Sequence, residues 1–196
     1  ADPAIQDLLV RSRDDSRMFG TQIAFDVPNQ DDVFPELAAY RVAEELGLPV
    51  TTHAGVWGAT NDWGIRNAYD AGVMKEGYTY VHAASLSADS YQKIAATGGN
   101  VSLATESEDT CWQGYPPVHQ LRRYGIPASL SGDTSVWFSA DLFSAMRATV
   151  NADRALEHYL AHQLEPAETV THVKLRAEEV VHMATRGGAM AIGKDH

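Results

Sequence analysis

Strand-like and helix-like segments alternate along this chain with a regular step, and three of the strand-like runs end on a residue able to bind a metal or move a proton. These runs are Pro49-Val50-Thr51-Thr52-His53, Tyr78-Thr79-Tyr80-Val81-His82 and Ala128-Ser129-Leu130-Ser131-Gly132-Asp133. In a barrel of parallel strands the strand C-termini converge on one face, so residues far apart in sequence can meet around a single reaction centre.

The alternation can be followed segment by segment. Thr21 to Val27 reads as a strand, and Phe34, Leu37, Ala38, Val42 and Leu46 then recur at helical spacing up to Gly47, a C-terminal stop. Gly64 to Met74 reads as a helix leading into the strand that ends at His82. Ser87 is placed to cap a helix over Ala88 to Ala96, Gly98-Gly99 closes it, and Asn100 to Thr105 is the next strand. Pro117 to Tyr124 is helical, Gly125 ends it, and Ile126 to Ser131 is the last strand. Asp141 to His162 and Ala177 to Ile192 read as helices.

Successive strand-helix units imply a parallel α/β sheet with right-handed crossovers. A (β/α) barrel and an open doubly wound sheet both fit this pattern. The dinucleotide-binding kind of open sheet carries a Gly-x-Gly-x-x-Gly turn, which does not occur here, and metal-ligand residue types at three strand ends favour the TIM-type barrel. The expected organisation is one partial barrel domain over residues 1–196: a lead-in over 1–20, strand-helix units over 21–140 and C-terminal helices over 141–196.

Composition narrows the function class. A chain of 196 residues suits one domain with a sizeable core. A formal charge of -11, with no Lys/Arg cluster, argues against a nucleic-acid partner. The single cysteine, Cys111, excludes an intrachain disulfide. No signal-like start is present, and no apolar run approaches the roughly 18 residues of a membrane span. A cytoplasmic protein with no membrane partner is the expectation.

Three runs carry a family resemblance: Thr52-His53-Ala54-Gly55, Tyr80-Val81-His82-Ala83-Ala84-Ser85-Leu86-Ser87 and Ser131-Gly132-Asp133. In order and spacing they resemble the second half of the amidohydrolase superfamily barrel, in the cytosine deaminase and triazine hydrolase branch. Asp141 to Arg147 and Ala184 to Gly193 resemble that branch's closing helices.

The resemblance implies a hydrolase cleaving a C–N bond through water activated by one divalent ion, zinc or iron. It also assigns roles: His53 and Asp133 as metal ligands, His82 orienting water or substrate, and Asp133 shuttling protons. Imidazole and carboxylate suit such an ion, which can bring the pKa of bound water near neutrality. Two family patterns do not occur here. There is no His-x-His, and Gly55, Val56 and Trp57 follow His53 where deaminases carry a Glu. Glu106 and Glu108, after the family's seventh strand, are then the nearest candidates for a substitute acid, Glu106 with a substrate or proton-transfer role and Glu108 as a substrate contact.

Trp57 and Trp63 could stack on a flat heterocyclic substrate. Cys111 and Trp112 occupy a similar rim loop. His158 and His162, four apart on a helix, are read as a polar helix face, and His119, His172 and His182 as surface residues.

Counted against the family, the first strand here resembles the fourth, so five strands of eight are expected, with the His-x-His strand outside the chain. Such a sheet would leave two edges and an apolar barrel-facing surface uncovered, which predicts a homo-oligomer or a missing N-terminal segment. The alternative to the enzyme is therefore a non-catalytic or incomplete barrel within a larger assembly, and the chain alone is expected to turn over weakly or not at all.

Overall fold

The computed structural model describes residues 3–12, 20–25, 34–56, 62–136, 138–167, 170 and 172–195. Its centre is a five-stranded parallel sheet: β1 Ile23–Phe25, β2 Val50–Ala54, β3 Thr79–His82, β4 Asn100–Leu103 and β5 Ala128–Leu130. The spatial order is β1-β2-β3-β4-β5. Sequential order is the order of barrel staves, whereas a doubly wound sheet reverses at a switch point. The fold is therefore α/β of the barrel kind, with β1 and β5 not joined to one another.

Helices α1 Pro3–Ser12, α2 Leu37–Leu46, α3 Asp62–Asp70, α4 Ala88–Ala96, α5 Thr105–Thr110 and α6 Val118–Tyr124 are followed by a 23-residue α7, Leu142–Leu164. The chain closes with α8 Ala177–His182, a π-helical turn Met183–Gly187 and α9 Gly188–Ala191.

The hydrophobic core lies between the sheet and its outer helices. Val50, Tyr80, Val101 and Leu103 meet Tyr40 and Ala43 of α2, Ile65 and Ala68 of α3, Ile94 of α4 and Leu121 of α6, all buried. The helices present these residues at three- and four-residue spacings, and the strands at spacings of two, so each element buries one face.

The other face of the sheet differs from expectation. Register aligns Thr51 with Thr79, His53 with Val81, Val81 with Ser102 and Ser102 with Ser129, so these residues share the barrel-facing side. That side is largely polar, and Thr51, His53, Val81 and Ser102 are half-buried. The sequence predicts an uncovered apolar surface here; the apolar set of each strand instead points at the helices.

Other boundaries also move. Thr105 opens α5 rather than ending a strand, because Glu108 folds its carboxylate back onto the amide of the N-cap residue Ala104, at 2.8 Å. α3 begins at Asp62, two residues before Gly64, with an acidic side chain in its first turn. The lead-in contains α1, held by an Asp7–Arg11 pair one turn apart. Of the first expected strand, Ile23–Phe25 is formed, while Asp26 and Val27 lie outside the described residues. The stops at Gly47 and Gly125 are as expected, each a left-handed C-cap.

Candidate functional site

His53 and His82 end neighbouring strands, but the pleat alone would keep them apart. Register pairs Ala54 with His82 and His53 with Val81, which on a continued strand sets the two imidazoles on opposite faces. Their rings instead stack, with centroids 5.5 Å apart and planes 22° from parallel. Left-handed backbone at His82 (φ 68°) and Ala83 (φ 56°) ends the alternation and brings the second ring across. Such conformations cost about 1–2 kcal/mol per non-glycine residue, so their surroundings must impose them.

Those surroundings are specific. The Ala83 amide donates to the Ala54 carbonyl at 2.9 Å, and the Ser85 amide to the Gly55 carbonyl at 2.7 Å. From α4, the Tyr91 hydroxyl donates to the Ala83 carbonyl at 2.5 Å. Burial raises the Tyr91 phenol well above its ordinary range, so it remains a donor. Gly55 is itself left-handed (φ 60°), and a Cβ there would lie 2.5 Å from Leu86 Cγ, which leaves glycine as the residue that fits. At the mouth of α4, Asp62 Oδ1 accepts from the Ser87 amide at 3.0 Å and from the Ser90 hydroxyl. Ser87 thus takes the N-cap position with its backbone, while Asp62 of α3 supplies the carboxylate.

Behind His82 stands Glu108. Its side chain is fully enclosed, with Oε1 3.3 Å from His82 Nδ1 and accepting the Ala104 amide. Oε2 has no hydrogen-bond partner among the described residues. Burial raises the carboxyl pKa, and the bonds from His82 and Ala104 pull it partway back. Read from the sequence as a substrate contact, Glu108 is enclosed in the protein against an imidazole.

The second pair of expected residues sits one strand further along. Glu106, half-buried in the first turn of α5, accepts from the Ser139 hydroxyl at 3.0 Å. Ser139 belongs to the loop after β5, and its carbonyl lies 3.6 Å from where a Cβ on Gly132 would stand. Glu106 therefore ties α5 to the loop that carries Asp133. Asp133 is exposed and left-handed (φ 54°), its amide donating to Ser131 Oγ at 3.0 Å. The Ser131 amide in turn donates to the Leu103 carbonyl at 2.7 Å, anchoring this turn to β4. All of these groups stand at the C-terminal ends of the strands.

Trp63 lies half-buried in the first turn of α3, and Trp57 falls outside the described residues. Cys111 is the half-buried C-cap of α5, and Trp112 beside it is 90% exposed with φ 57°. His158, His162, His172 and His182 are exposed, but His119 is half-buried on α6, where burial lowers its pKa. Arg122 of the same helix makes a two-oxygen ion pair with the buried Asp153, which makes this region structural.

The expected metal does not fit the described residues alone. A catalytic zinc takes three protein ligands and keeps one position open, and among the described residues no group of three or more His, Cys, Asp or Glu side chains could hold an ion. His53 and Asp133 are donors of the right chemistry, yet too few.

Comparison with known proteins gives the same fold. No family model matches the chain. Over 119 residues it is 29% identical to an isoxanthopterin deaminase from an unknown prokaryotic organism, covering 59% of this chain and 25% of that protein. An adenosine deaminase from Xanthomonas campestris with bound zinc superimposes with a TM-score of 0.78 at 20% identity, over 98% of this chain and 43% of that one. A guanine deaminase from C. acetobutylicum with bound guanine gives 0.71 at 17% identity, over 95% and 45%. A variant of the atrazine chlorohydrolase of Arthrobacter aurescens, complexed with zinc and atraton, gives 0.66 at 20% identity, over 96% and 42%. The chain spans a quarter of the curated relative and less than half of these structures. Over that span it has the parallel strand-helix fold of the amidohydrolase-superfamily deaminases and triazine hydrolases.

Proposed function

We propose that this chain forms part of an amidohydrolase-type enzyme that hydrolyses a C–N bond of a small, flat nitrogen heterocycle. One observation carries the reading: two imidazoles stacked at the C-terminal ends of adjacent strands, held there by costly backbone and backed by a buried carboxylate. Strain of this kind persists where chemistry uses it. The names of the similar proteins, deaminases of purines and of a pterin among them, support the substrate class.

In this reading His82 binds or orients substrate or water, and Asp133, exposed on its turn, moves a proton to the leaving amine. Glu106 fixes the Asp133 loop through Ser139 and can take part in proton transfer or substrate binding. Trp63 and Trp57 are proposed as stacking surfaces for the heterocycle. Metal dependence, on zinc or iron, is the finer part of the proposal. This chain would contribute His53 and Asp133, and the remaining ligands must come from beyond the described residues. The two unjoined edges, β1 and β5, are where a second chain or further sequence would complete the sheet.

The test is titration of the labelled chain with purines, pterins and triazines while the imidazole resonances of His53 and His82 are followed. Saturable shifts at both rings, abolished in Asp133→Ala or by loss of the His82 ring, are expected. Rings indifferent to every heterocycle of these classes would end this reading.

A further inference from the structure

We propose that Glu108 is the positioning residue of His82, locking its imidazole in the tautomer with the proton on Nδ1 and a lone pair on Nε2. The inference deepens the reading above, since it matters for function only if His82 serves the site, but its evidence is independent of turnover and of any metal.

A backbone amide can only donate, so Glu108 Oε1, 2.8 Å from the Ala104 nitrogen, is an acceptor. The same oxygen lies 3.3 Å from His82 Nδ1, and a neutral imidazole can donate to it only when Nδ1 carries the hydrogen. The carboxylate, or a carboxyl protonated on Oε2, which has no partner among the described residues, leaves Oε1 accepting from both nitrogens; a proton on Oε1 itself would donate to Nδ1 and give the opposite tautomer, which the spectra below distinguish.

The geometry leaves little freedom for another arrangement. The two side chains are 3% and 0% exposed, so water cannot substitute for either partner. His82 cannot swing away without releasing left-handed backbone that Ala54 and Tyr91 hold from both sides of Ala83. Glu108 cannot withdraw without leaving the Ala104 amide unpaired at the start of α5. With Nδ1 committed as donor, Nε2 is the nitrogen left to accept from a water or substrate N–H. A carboxylate behind a histidine that fixes the ring's outward nitrogen is a general device. Here the sequence places it four residues beyond Ala104, where the helical turn returns the side chain to the strand end.

Long-range proton–nitrogen correlation spectra of the labelled full chain at neutral pH read the tautomer directly. The wild type is expected to show a protonated, pyrrole-like Nδ1 and a pyridine-like Nε2 at His82. Glu108→Gln, whose amide oxygen can still accept, keeps that pattern. Glu108→Leu removes the acceptor, and the ring reverts to the Nε2–H form that an unconstrained imidazole favours, interchanging the two assignments. Wild-type or Glu108→Gln protein protonated on Nε2 overturns the proposal, as does a folded Glu108→Leu chain that keeps the proton on Nδ1. If Glu108→Leu does not fold, the other two spectra decide. A locked Nδ1–H tautomer with rings that ignore every heterocycle would sink the functional reading and leave this one standing. Shifting rings with an Nε2–H tautomer would do the reverse.

Discussion

The two ends of the sheet are built on opposite principles. At the N-terminal ends of the strands, polar side chains are paired with one another and with the end of α9. Gln22 donates to the Ala191 carbonyl at 2.8 Å and accepts from Thr51 at 2.6 Å, Thr79 reaches Asn100 at 3.0 Å, and the Asn100 amide donates to Gly77 and Tyr78. At the C-terminal ends stand left-handed non-glycine residues, His82, Ala83 and Asp133 among them, and a buried carboxylate oxygen without a partner among the described residues. The first end gains stability from satisfied groups, and the second consumes it to hold a fixed constellation of side chains. Substitutions should therefore separate: changes at the core and the sealed end cost stability, while changes at the open end alter the site and can even stabilise.

The largest effect is expected in the shared layer beneath both ends. Leu103 is fully buried between β4 and the outer helices, and Leu103→Ala should cost about 2–5 kcal/mol in urea unfolding through lost burial and a residual cavity. A loss below 1 kcal/mol would mean this layer is not the packed core described above. Gly187 comes next. A Cβ there would lie 2.3 Å from the Ala128 carbonyl oxygen, which is backbone and cannot move aside as a side chain tip can. Gly187→Ala should destabilise by about 1–3 kcal/mol as the π-helical turn is pushed off β5, with the His53 and His82 ring resonances unmoved. Shifted rings would show that the two ends are coupled.

Much of the sealed half was legible in the sequence, because it follows from period and punctuation. The alternation of segments, the apolar spacing of α2 and the glycines at 47 and 125 are local signals, and the structure forms the elements they mark. The open half was legible only as residue types at strand ends. His53 and His82 are adjacent in space because a left-handed backbone overrides the pleat, and no local pattern in Tyr80-Val81-His82-Ala83 announces that. Glu108 was visible as a charge but not as an enclosed partner of His82, since the pairing spans 26 residues and depends on α5 forming where a strand end was read. The polar barrel-facing side was written in the alternate residues Thr51 and His53, and could have been read by assigning the helix-facing side to Val50 and Ala54 first.

Glu108 also gives the comparison a pH axis. Its carboxyl pKa is raised in the folded chain, chiefly by burial, against an ordinary glutamate value of about 4.3 in the unfolded one. Between those two values the native state binds more protons than the unfolded state, so this group's contribution to stability falls as pH rises through that window and then levels off. Glu108→Gln lacks the contribution, so the stability of the variant relative to wild type should grow from acid toward neutral pH. Urea midpoints of the two proteins at a series of pH values measure it. A difference independent of pH, or one that shrinks as pH rises, would contradict the buried, unpaired state of Oε2.

The smallest effect is expected at Asp133, and its sign is the informative part. The residue is exposed, its side chain makes no hydrogen bond or ion pair among the described residues, and its φ of 54° is one that glycine adopts without penalty. Asp133→Gly relieves that strain but adds backbone entropy to the unfolded chain, so the net change should be a stabilisation of less than about 1 kcal/mol. Asp133→Ala keeps the strain and should fall within about 0.5 kcal/mol of wild type. If both variants instead destabilise by more than 1 kcal/mol, Asp133 is part of the structural half of the molecule, its carboxylate holds the loop rather than serving chemistry, and the division between a sealed end and a working end fails at the residue where it was expected to be clearest.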